Sequence, residues 1–235
     1  MENVSDRKRR KWPFAVIAII VAAAVTATFF YIQNNRIYYA EDFGITVIKS
    51  GVDFNGNGVD DYTDMMLGAR DYLMSCQPTY DGSYHAGGYP PDSMGVCTDV
   101  IWQAFRYAGY CLKDMVTKDI DENLFDYPRV AEEPDPNIDF RRVPNLKVFF
   151  EKYAESLTLD TTDISQWQPG DIITYDGTHI AMVSDKRNRH GVPYIIHHGG
   201  SSKYEENALV NKLEISGHFR FDASKVPDEL KIPYI

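Results

Sequence analysis

A cysteine at the start of a predicted helix is the first feature of this sequence that could do covalent chemistry. Cys97 follows the Gly- and Pro-rich stretch HAGGYPPDSMG, a loop composition. After it, apolar residues recur at helical spacing from Val100 to Met115. Free N–H groups and the dipole at a helix N-terminus stabilise a thiolate, the nucleophilic form of cysteine, and can hold an oxyanion. A cysteine here can also be an inert core residue, so Cys97 alone does not establish catalysis.

Histidines in the C-terminal third could supply a base for this cysteine. The turn WQPGD leads into a predicted strand, Ile172–Tyr175, and a second predicted strand begins at His179. A third ends in His197 and His198, and LEISGHFRF predicts a fourth. Neighbouring strand residues face opposite sides, so only one of His197 and His198 can face His179. The pattern predicts an α+β domain in which a Cys-bearing helix packs on an antiparallel sheet that bears His.

The order of these segments resembles a known superfamily. WQPGDIITYDGTHIAMVSD, followed by PYIIHH, is similar to the catalytic half of NlpC-type cell-wall peptidases, which have a papain-like fold. GVCTDVIWQAFRYAGY, PDPNIDFRRVPNLKVFF, HIAMVSDKRN and GHFRF resemble more closely a bacterial group called domain of unknown function 1287, placed in the same papain-like clan. The resemblance covers roughly residues 60–222.

The resemblance implies a role for each member of the Cys–His pair. Cys97 would be the nucleophile, His179 the general base, and His197 the residue that orients the imidazole, with His198 as its adjacent rival. Many NlpC-type enzymes have Asp-Cys-Ser-Gly at the nucleophile, whereas this chain has Val-Cys-Thr-Asp. The implied substrate is peptidoglycan stem peptide, cut at an amide bond through an acyl-enzyme without a catalytic cofactor.

Candidate substrate contacts lie near the nucleophile and in the segment PDPNIDFRRVPN, which is dense in Pro and charge. Arg141 and Arg142 could grip a peptide carboxylate through paired hydrogen bonds. An internal salt-bridge network that braces the loop explains them equally well. By analogy with upstream aromatics of the family, Tyr84 and Tyr89 are predicted to line the cleft, and Asp99 completes the predicted substrate-binding set.

A calcium-like loop, DFNGNGVDDYTD, occupies residues 53–64. Alternate residues of a tight loop can place several oxygens around a hard cation, and Gly58 permits the sharp turn. The spacing resembles EF-hand and dockerin loops, although position twelve is Asp64 rather than a longer Glu. An Asn-Gly/Asp-rich turn that caps the next helix is the alternative. We predict a structural Ca²⁺ site whose ligands are Asp53, Asn55, Asn57, Asp61, Asp64 and the carbonyl of Val59.

The N-terminus predicts a membrane anchor. Residues 12–32 carry no charge and are about the length a helix needs to cross a bilayer. The basic cluster RKRRK precedes them, so residues 1–11 are predicted to be cytoplasmic and the domain after the anchor extracytoplasmic. A cleaved signal peptide is the alternative, but its apolar core would be shorter. Residues 33–52 are predicted as a linker and entry to the domain, and residues 53–235 as the hydrolase domain.

Charge and cysteine content narrow the function classes. Residues 1–12 carry +3 and the remainder −13, and an acidic body argues against nucleic-acid binding. Three cysteines in an exported domain leave one free thiol, with Cys76 and Cys111 as candidates for a disulfide or for core positions.

Several functions remain open on sequence alone. The favoured one is a membrane-anchored, extracytoplasmic cysteine hydrolase with a papain-like, NlpC-type fold. The alternatives are a non-catalytic, calcium-stabilised wall-binding or scaffolding domain, an amidase or acyltransferase on another substrate, and a Zn²⁺ site formed by Cys97, His179 and His197.

Overall fold

The computed structural model describes residues 12–128, 130, 133–210 and 213–235. The chain divides into two compact units, residues 1–37 and residues 38–235. The first contains helix α1, Trp12–Asn35, whose stretch Phe14–Gln33 is exposed and has a mean hydropathy of 2.5. A helix that is apolar on all sides and 20 residues long is long enough to cross a membrane, as predicted. The predicted cytoplasmic segment 1–11 lies outside the described residues.

The second unit is a helical layer packed on a sheet. Its helices are α2 (Asp61–Asp71), α3 (Cys97–Tyr107), α4 (Leu112–Glu122) and α5 (Val143–Tyr153). Helix α2 packs along α3, and α3 packs on the sheet. Helix α3 is buried on all sides from Cys97 to Phe105, whereas α4 and α5 each bury one face, so packing stabilises all three.

The strands form a two-stranded parallel ribbon and a six-stranded antiparallel sheet. The ribbon consists of β1 (Thr79–Tyr80) and β2 (Met94–Gly95). The sheet has the order β3-β8-β4-β5-β6-β7. Its strands are β3 (Glu155–Ser156), β4 (Ile172–Tyr175), β5 (His179–Arg187), β6 (Pro193–Ile196), β7 (Glu205–Glu206) and β8 (Ile215–Arg220).

Both faces of the sheet are buried, because successive side chains along a strand point to opposite sides. Ile172 and Met182 belong to the core shared with the helices, whereas Ile173 and Val183 pack with Trp167 on the other face. Burial on two sides explains why residues 172–173 of β4 and 180–183 of β5 are continuous apolar runs instead of alternating with polar residues.

The predicted α+β class and the antiparallel sheet are confirmed. All four predicted strands are present, although the third ends at Ile196, before the two histidines. The segment predicted as a linker is mostly part of the domain, since Tyr38 bridges to Arg187 and the Gln168 side chain binds the backbone of residues 46 and 48. Within the described residues Cys76, Cys97 and Cys111 are all free thiols, so the disulfide alternative is excluded.

Candidate active site

Cys97 is the first residue of α3 and lies where that helix meets the sheet. Its side chain is buried, with 4% of the residue exposed. The backbone N–H groups of Thr98, at the helix N-terminus, and of Ile180, on β5, act on the thiol and favour its ionised form. Because Ile180 follows His179 in β5, packing of α3 on the sheet brings the cysteine and histidine segments to the same end of the domain.

Three side chains form a hydrogen-bonded line across strands β5 to β7. Nε2 of His179 lies 2.7 Å from Nδ1 of His197. Nε2 of His197 lies 3.1 Å from Oε1 of Glu206. Since Nε2 of His179 is occupied by His197, its other ring nitrogen, Nδ1, is the one available to a reaction partner.

The structure places His197, and not His198, beside His179. His198 is buried with its ring edge-on to Tyr80 and Tyr204, at centroid distances of 5.0 and 5.4 Å. The two histidines follow β6 and keep its alternation, which sends their rings in opposite directions. Gly199 leaves room for the His197 ring, because a Cβ there would lie 3.1 Å from its Cε1.

Burial keeps both Cys97 and His179 neutral. It raises the pKa of the Cys97 thiol to about 11, although the N–H groups of Ile180 and Thr98 act in the opposite direction. Burial, together with the nearby His197 and His198, lowers the pKa of His179 to about 4. The sequence predicted a thiolate stabilised by the helix N-terminus, but loss of water outweighs those N–H groups. A base would therefore remove the thiol proton during attack.

A buried ion pair braces the start of α3. Asp99 accepts two hydrogen bonds from Arg141, from Nε and from Nη2, both at 2.8 Å. Its remaining contacts are the indole N–H of Trp102 and the backbone N–H of Val96, both at 2.7 Å. The side chains of Asp99 and Arg141 are 0% and 1% exposed. This geometry supports the bracing interpretation. Arg141 also contributes to the wall of the cleft beside Cys97, and the substrate-binding roles of Asp99 and Arg141 stay predictions.

An open cleft of about 420 Å³ lies next to Cys97. Its walls come from Tyr80, residues 96–98, residues 141–144 and the turn at 177–178. Arg142 is 36% exposed by side chain, and Asp139, its acidic neighbour, is 3.7 Å away. Within the described part of the chain, its Nε is buried without a hydrogen-bond partner. This Nε faces Asp139, so it is the exposed part of the Arg142 side chain that can meet a ligand in the cleft.

The predicted aromatic lining is wrong in its residues. Tyr89 packs against Trp102, Phe140 and Tyr234 on another side of the domain. The Tyr84 hydroxyl accepts a hydrogen bond from Asn137 at 2.9 Å, outside the cleft walls. Tyr80 lines the cleft instead, because the short ribbon β1–β2 carries it there. A two-residue strand leaves no periodic pattern that sequence reasoning could detect.

The PGD turn holds β4 in place rather than contributing to the cleft. Asp171 accepts hydrogen bonds from Arg220 at 2.7 and 2.8 Å and from the Gln168 N–H at 2.8 Å. Gly170 has φ +89°, and a Cβ there would lie 2.4 Å from the Tyr62 carbonyl oxygen. Only glycine fits this backbone conformation and this close approach.

The loop at 53–64 gathers some of its predicted calcium ligands. The amide groups of Asn55 and Asn57 converge on Oδ2 of Asp64, at 2.8 and 2.9 Å. Asp53 accepts from the N–H groups of Asn57 and Gly58. Asp60 caps α2 by accepting from the Thr63 N–H.

Asp61 braces the loop against the domain. Its buried carboxylate accepts hydrogen bonds from the Tyr110 hydroxyl at 2.6 Å and from the Phe54 N–H at 2.9 Å. Each oxygen thus has a partner in the protein, and the role of Asp61 as a calcium ligand stays a prediction. The carbonyl of Val59 and the calcium itself remain predictions.

The geometry does not favour zinc. His179 and His197 point ring nitrogens at each other at 2.7 Å, which leaves no space for an ion between them. Among residues 12–128, 130, 133–210 and 213–235, no three His, Cys, Asp or Glu side chains are grouped as metal ligands.

Comparison with known proteins identifies a family. The profile described as Domain of unknown function (DUF1287) matches residues 68–221, about two thirds of the chain. The chain belongs to the DUF1287 family. It is similar to the Escherichia coli K12 protein described as uncharacterized protein YijF, with 36% identity over 163 residues, 66% of this chain and 78% of that protein. No solved structure matches the chain significantly.

The family match covers the whole candidate site. Cys97, His179, His197 and Glu206 all fall within residues 68–221, whereas α1 and the loop at 53–64 precede the matched region. The DUF1287 region therefore includes the whole candidate site, and α1 and the loop at 53–64 lie outside it.

Proposed function

We propose that this DUF1287 protein is a membrane-anchored cysteine hydrolase with a papain-like, NlpC-type domain outside the cytoplasmic membrane. The hydrogen bond between His179 Nε2 and His197 Nδ1, at the end of the sheet against which Cys97 packs, is the observation that carries the proposal. It orients one imidazole through another, as an acid–base group in a nucleophilic site requires.

The proposed reaction is hydrolysis of an amide through an acyl-enzyme. Nδ1 of His179 takes the thiol proton as Cys97 Sγ bonds to the carbonyl carbon, and the N–H groups at the start of α3 hold the oxyanion. The C–N bond then breaks, and His179 returns the proton to the leaving amine. Water attacks the thioester with His179 as base, which releases the carboxylic acid and restores the thiol.

Two features support a substrate with a carboxylate near the scissile bond. The cleft is open, so a peptide can reach Cys97, and the side chain of Arg142, which is 36% exposed, lines it. A guanidinium binds a carboxylate through two parallel hydrogen bonds. Peptidoglycan stem peptides carry such carboxylates, and they are the substrate we propose.

Export is supported by the order of charge and apolarity at the N-terminus. RKRRK immediately precedes the apolar helix Trp12–Asn35. Positive residues are retained on the cytoplasmic side, so the domain after the helix would face the cell wall.

The test is mass spectrometry of purified peptidoglycan after incubation with the wild-type protein, with Cys97→Ala and with Cys76→Ala. Cys76 is a free thiol outside the Cys97 cleft and serves as the matched control. We expect new peptide fragments with wild type and Cys76→Ala, and none with Cys97→Ala. Fragments that persist in Cys97→Ala refute the nucleophile. Identical profiles for all three proteins refute the substrate and favour a wall-binding domain or another amide substrate.

A further inference from the structure

Glu206 ends the line of hydrogen bonds that begins at His179. Its Oε1 is 3.1 Å from Nε2 of His197, whose Nδ1 is 2.7 Å from Nε2 of His179. The side chains of His197 and Glu206 are 12% and 32% exposed, so the histidine is largely buried and the carboxylate is partly open to water. The proposed hydrolysis uses Cys97, His179 and His197 and gives Glu206 no role.

The carboxylate decides where the protons of both imidazoles lie. An ionised carboxylate only accepts hydrogen bonds, so Nε2 of His197 must carry a proton. In a neutral imidazole the other nitrogen is then a bare acceptor, and Nδ1 of His197 must accept from His179. Nε2 of His179 therefore carries that ring's proton, and its Nδ1 is left bare.

We propose that Glu206 is a positioning residue: its carboxylate sets the tautomers of His197 and His179 and so keeps Nδ1 of His179 free to take the Cys97 proton. This inference rests on the proposed function and adds a residue to the same site. With the opposite tautomers, His197 would donate to His179, and Nδ1 of His179 would carry a proton instead of accepting one.

The sheet places Glu206 within hydrogen-bond distance of His197. Glu206 lies on β7 opposite Ile195 of β6. The preceding residue, Glu205, anchors β7 through ion pairs to Arg70 at 2.6 Å and to Lys186 at 2.7 Å. Because adjacent side chains of a strand point to opposite sides, anchoring Glu205 on one side directs Glu206 to the other, where His197 lies.

The adjacent residues Glu205 and Glu206 thus have two different roles. Glu205 is 5% exposed by side chain and is neutralised by two cations. Glu206 is bonded to the histidine that orients the proposed base. A two-residue strand suffices because one residue fixes it and the other faces the site.

The experiment is a long-range ¹H–¹⁵N spectrum of the imidazoles in the full-length chain, held in detergent micelles at neutral pH. The spectrum distinguishes protonation on Nδ1 from protonation on Nε2 without requiring activity. We expect both His179 and His197 of the wild type to be protonated on Nε2. In Glu206→Ala, His197 should shift towards a mixture of tautomers, and His179 should follow.

Turnover of purified peptidoglycan is measured on the same proteins. We expect Glu206→Ala to lower kcat about 10- to 100-fold, on the order found when a hydrogen bond that orients a functional histidine is removed. Glu206→Gln keeps an acceptor oxygen, so it should retain the wild-type tautomers and recover part of the rate. Glu122→Gln, at an exposed ion pair on α4, is the matched control and should leave both spectrum and rate unchanged.

Two results would overturn the inference. One is a wild-type spectrum with His197 protonated on Nδ1 alone. The other is a Glu206→Ala spectrum with unaltered tautomers in a protein whose circular dichroism is that of the wild type. If wild type does not cut peptidoglycan but the tautomers depend on Glu206, the proposed substrate fails and the positioning role stands.

Discussion

The buried pair of Asp99 and Arg141 makes a quantitative prediction, because it decides whether Arg141 serves stability or substrate binding. Replacing Arg141 with Met removes two hydrogen bonds of 2.8 Å from a carboxylate with no exposed surface. The indole of Trp102 and the N–H of Val96 remain as its donors. Breaking a buried ion pair by removing one partner costs about 3–5 kcal/mol, since the other charge stays buried and uncompensated. We expect Arg141→Met to lower the free energy of unfolding by about 4 kcal/mol at neutral pH.

The neighbouring arginine provides the control. The Arg142 side chain is 36% exposed, and its ion pair with Asp139 spans 3.7 Å. The Asp139 side chain is only 5% exposed, but it lies beyond hydrogen-bond distance of Arg142 and already accepts from the Asp135 N–H at 2.7 Å. Arg142→Met should therefore cost about 1 kcal/mol, well below the cost of Arg141→Met. The assay is urea unfolding of the chain from Arg36 onward, followed by circular dichroism.

A double-mutant cycle separates the pair from its surroundings. Asp99→Asn removes the uncompensated charge when it is introduced into the Arg141→Met variant. We therefore expect it to lower the free energy of unfolding of that variant by about 2 kcal/mol or more less than it lowers that of the wild type. Additive costs, or an Arg141→Met variant as stable as Arg142→Met, would refute the bracing role. Arg141 would then be favoured as a substrate-binding residue.

Three further predictions concern the thiol, the cleft and the loop. Since the pKa of Cys97 is near 11 and only the thiolate reacts, the rate of its alkylation by iodoacetamide should rise about tenfold per pH unit above pH 7. A rate that reaches a plateau below pH 8 would instead show a preformed thiolate–imidazolium ion pair. Arg142→Gln should raise KM about tenfold for a stem peptide with a free carboxylate and leave KM for the amidated form of that peptide unchanged. Equal changes in KM for both peptides would contradict carboxylate recognition. Calcium at 100 times its Kd should raise the free energy of unfolding by about 2.7 kcal/mol, measured by calorimetry. This stabilisation should be lost in Asp64→Ala and kept in Asp61→Asn. An unfolding temperature of the wild type that does not change with calcium would refute the site.

The sequence predicted the parts of this protein that depend on local pattern. An uncharged run of 21 residues after a basic cluster is sufficient to indicate a helix of membrane-spanning length, because backbone groups in lipid must be satisfied within the helix. Helical periodicity after Cys97 and strand signals around His179 likewise predicted α3 and β5. Both signals lie within a few residues of the elements they describe.

Short strands escaped prediction because their positions depend on distant partners. Tyr80 reaches the cleft through a two-residue strand that pairs with β2, and Glu206 lies on a two-residue strand fixed by Arg70 of α2. Neither segment has enough residues for a period to be visible. Tyr84 and Tyr89 were predicted as cleft residues in place of Tyr80 because the residue type alone does not show where a side chain points.

Burial determines the charge state of Cys97 and the role of Arg141, and burial cannot be read from the sequence. A helix N-terminus predicted a thiolate at Cys97, but the tertiary structure encloses the thiol and raises its pKa. Arg141 and Arg142 are adjacent and chemically identical, yet one is 1% exposed and paired with Asp99, whereas the other is 36% exposed at the cleft.

The amino-acid sequence by itself determined the apolar N-terminal helix, the α+β class and the cysteine and histidine segments that form the candidate site. Only the tertiary structure decided which histidine faces His179, that Glu206 ends the hydrogen-bonded line, and that Asp99 and Arg141 brace α3. The physical reason is that helix and strand periods act over a few residues, whereas the direction, burial and ionisation of a side chain depend on groups brought beside it from far along the chain.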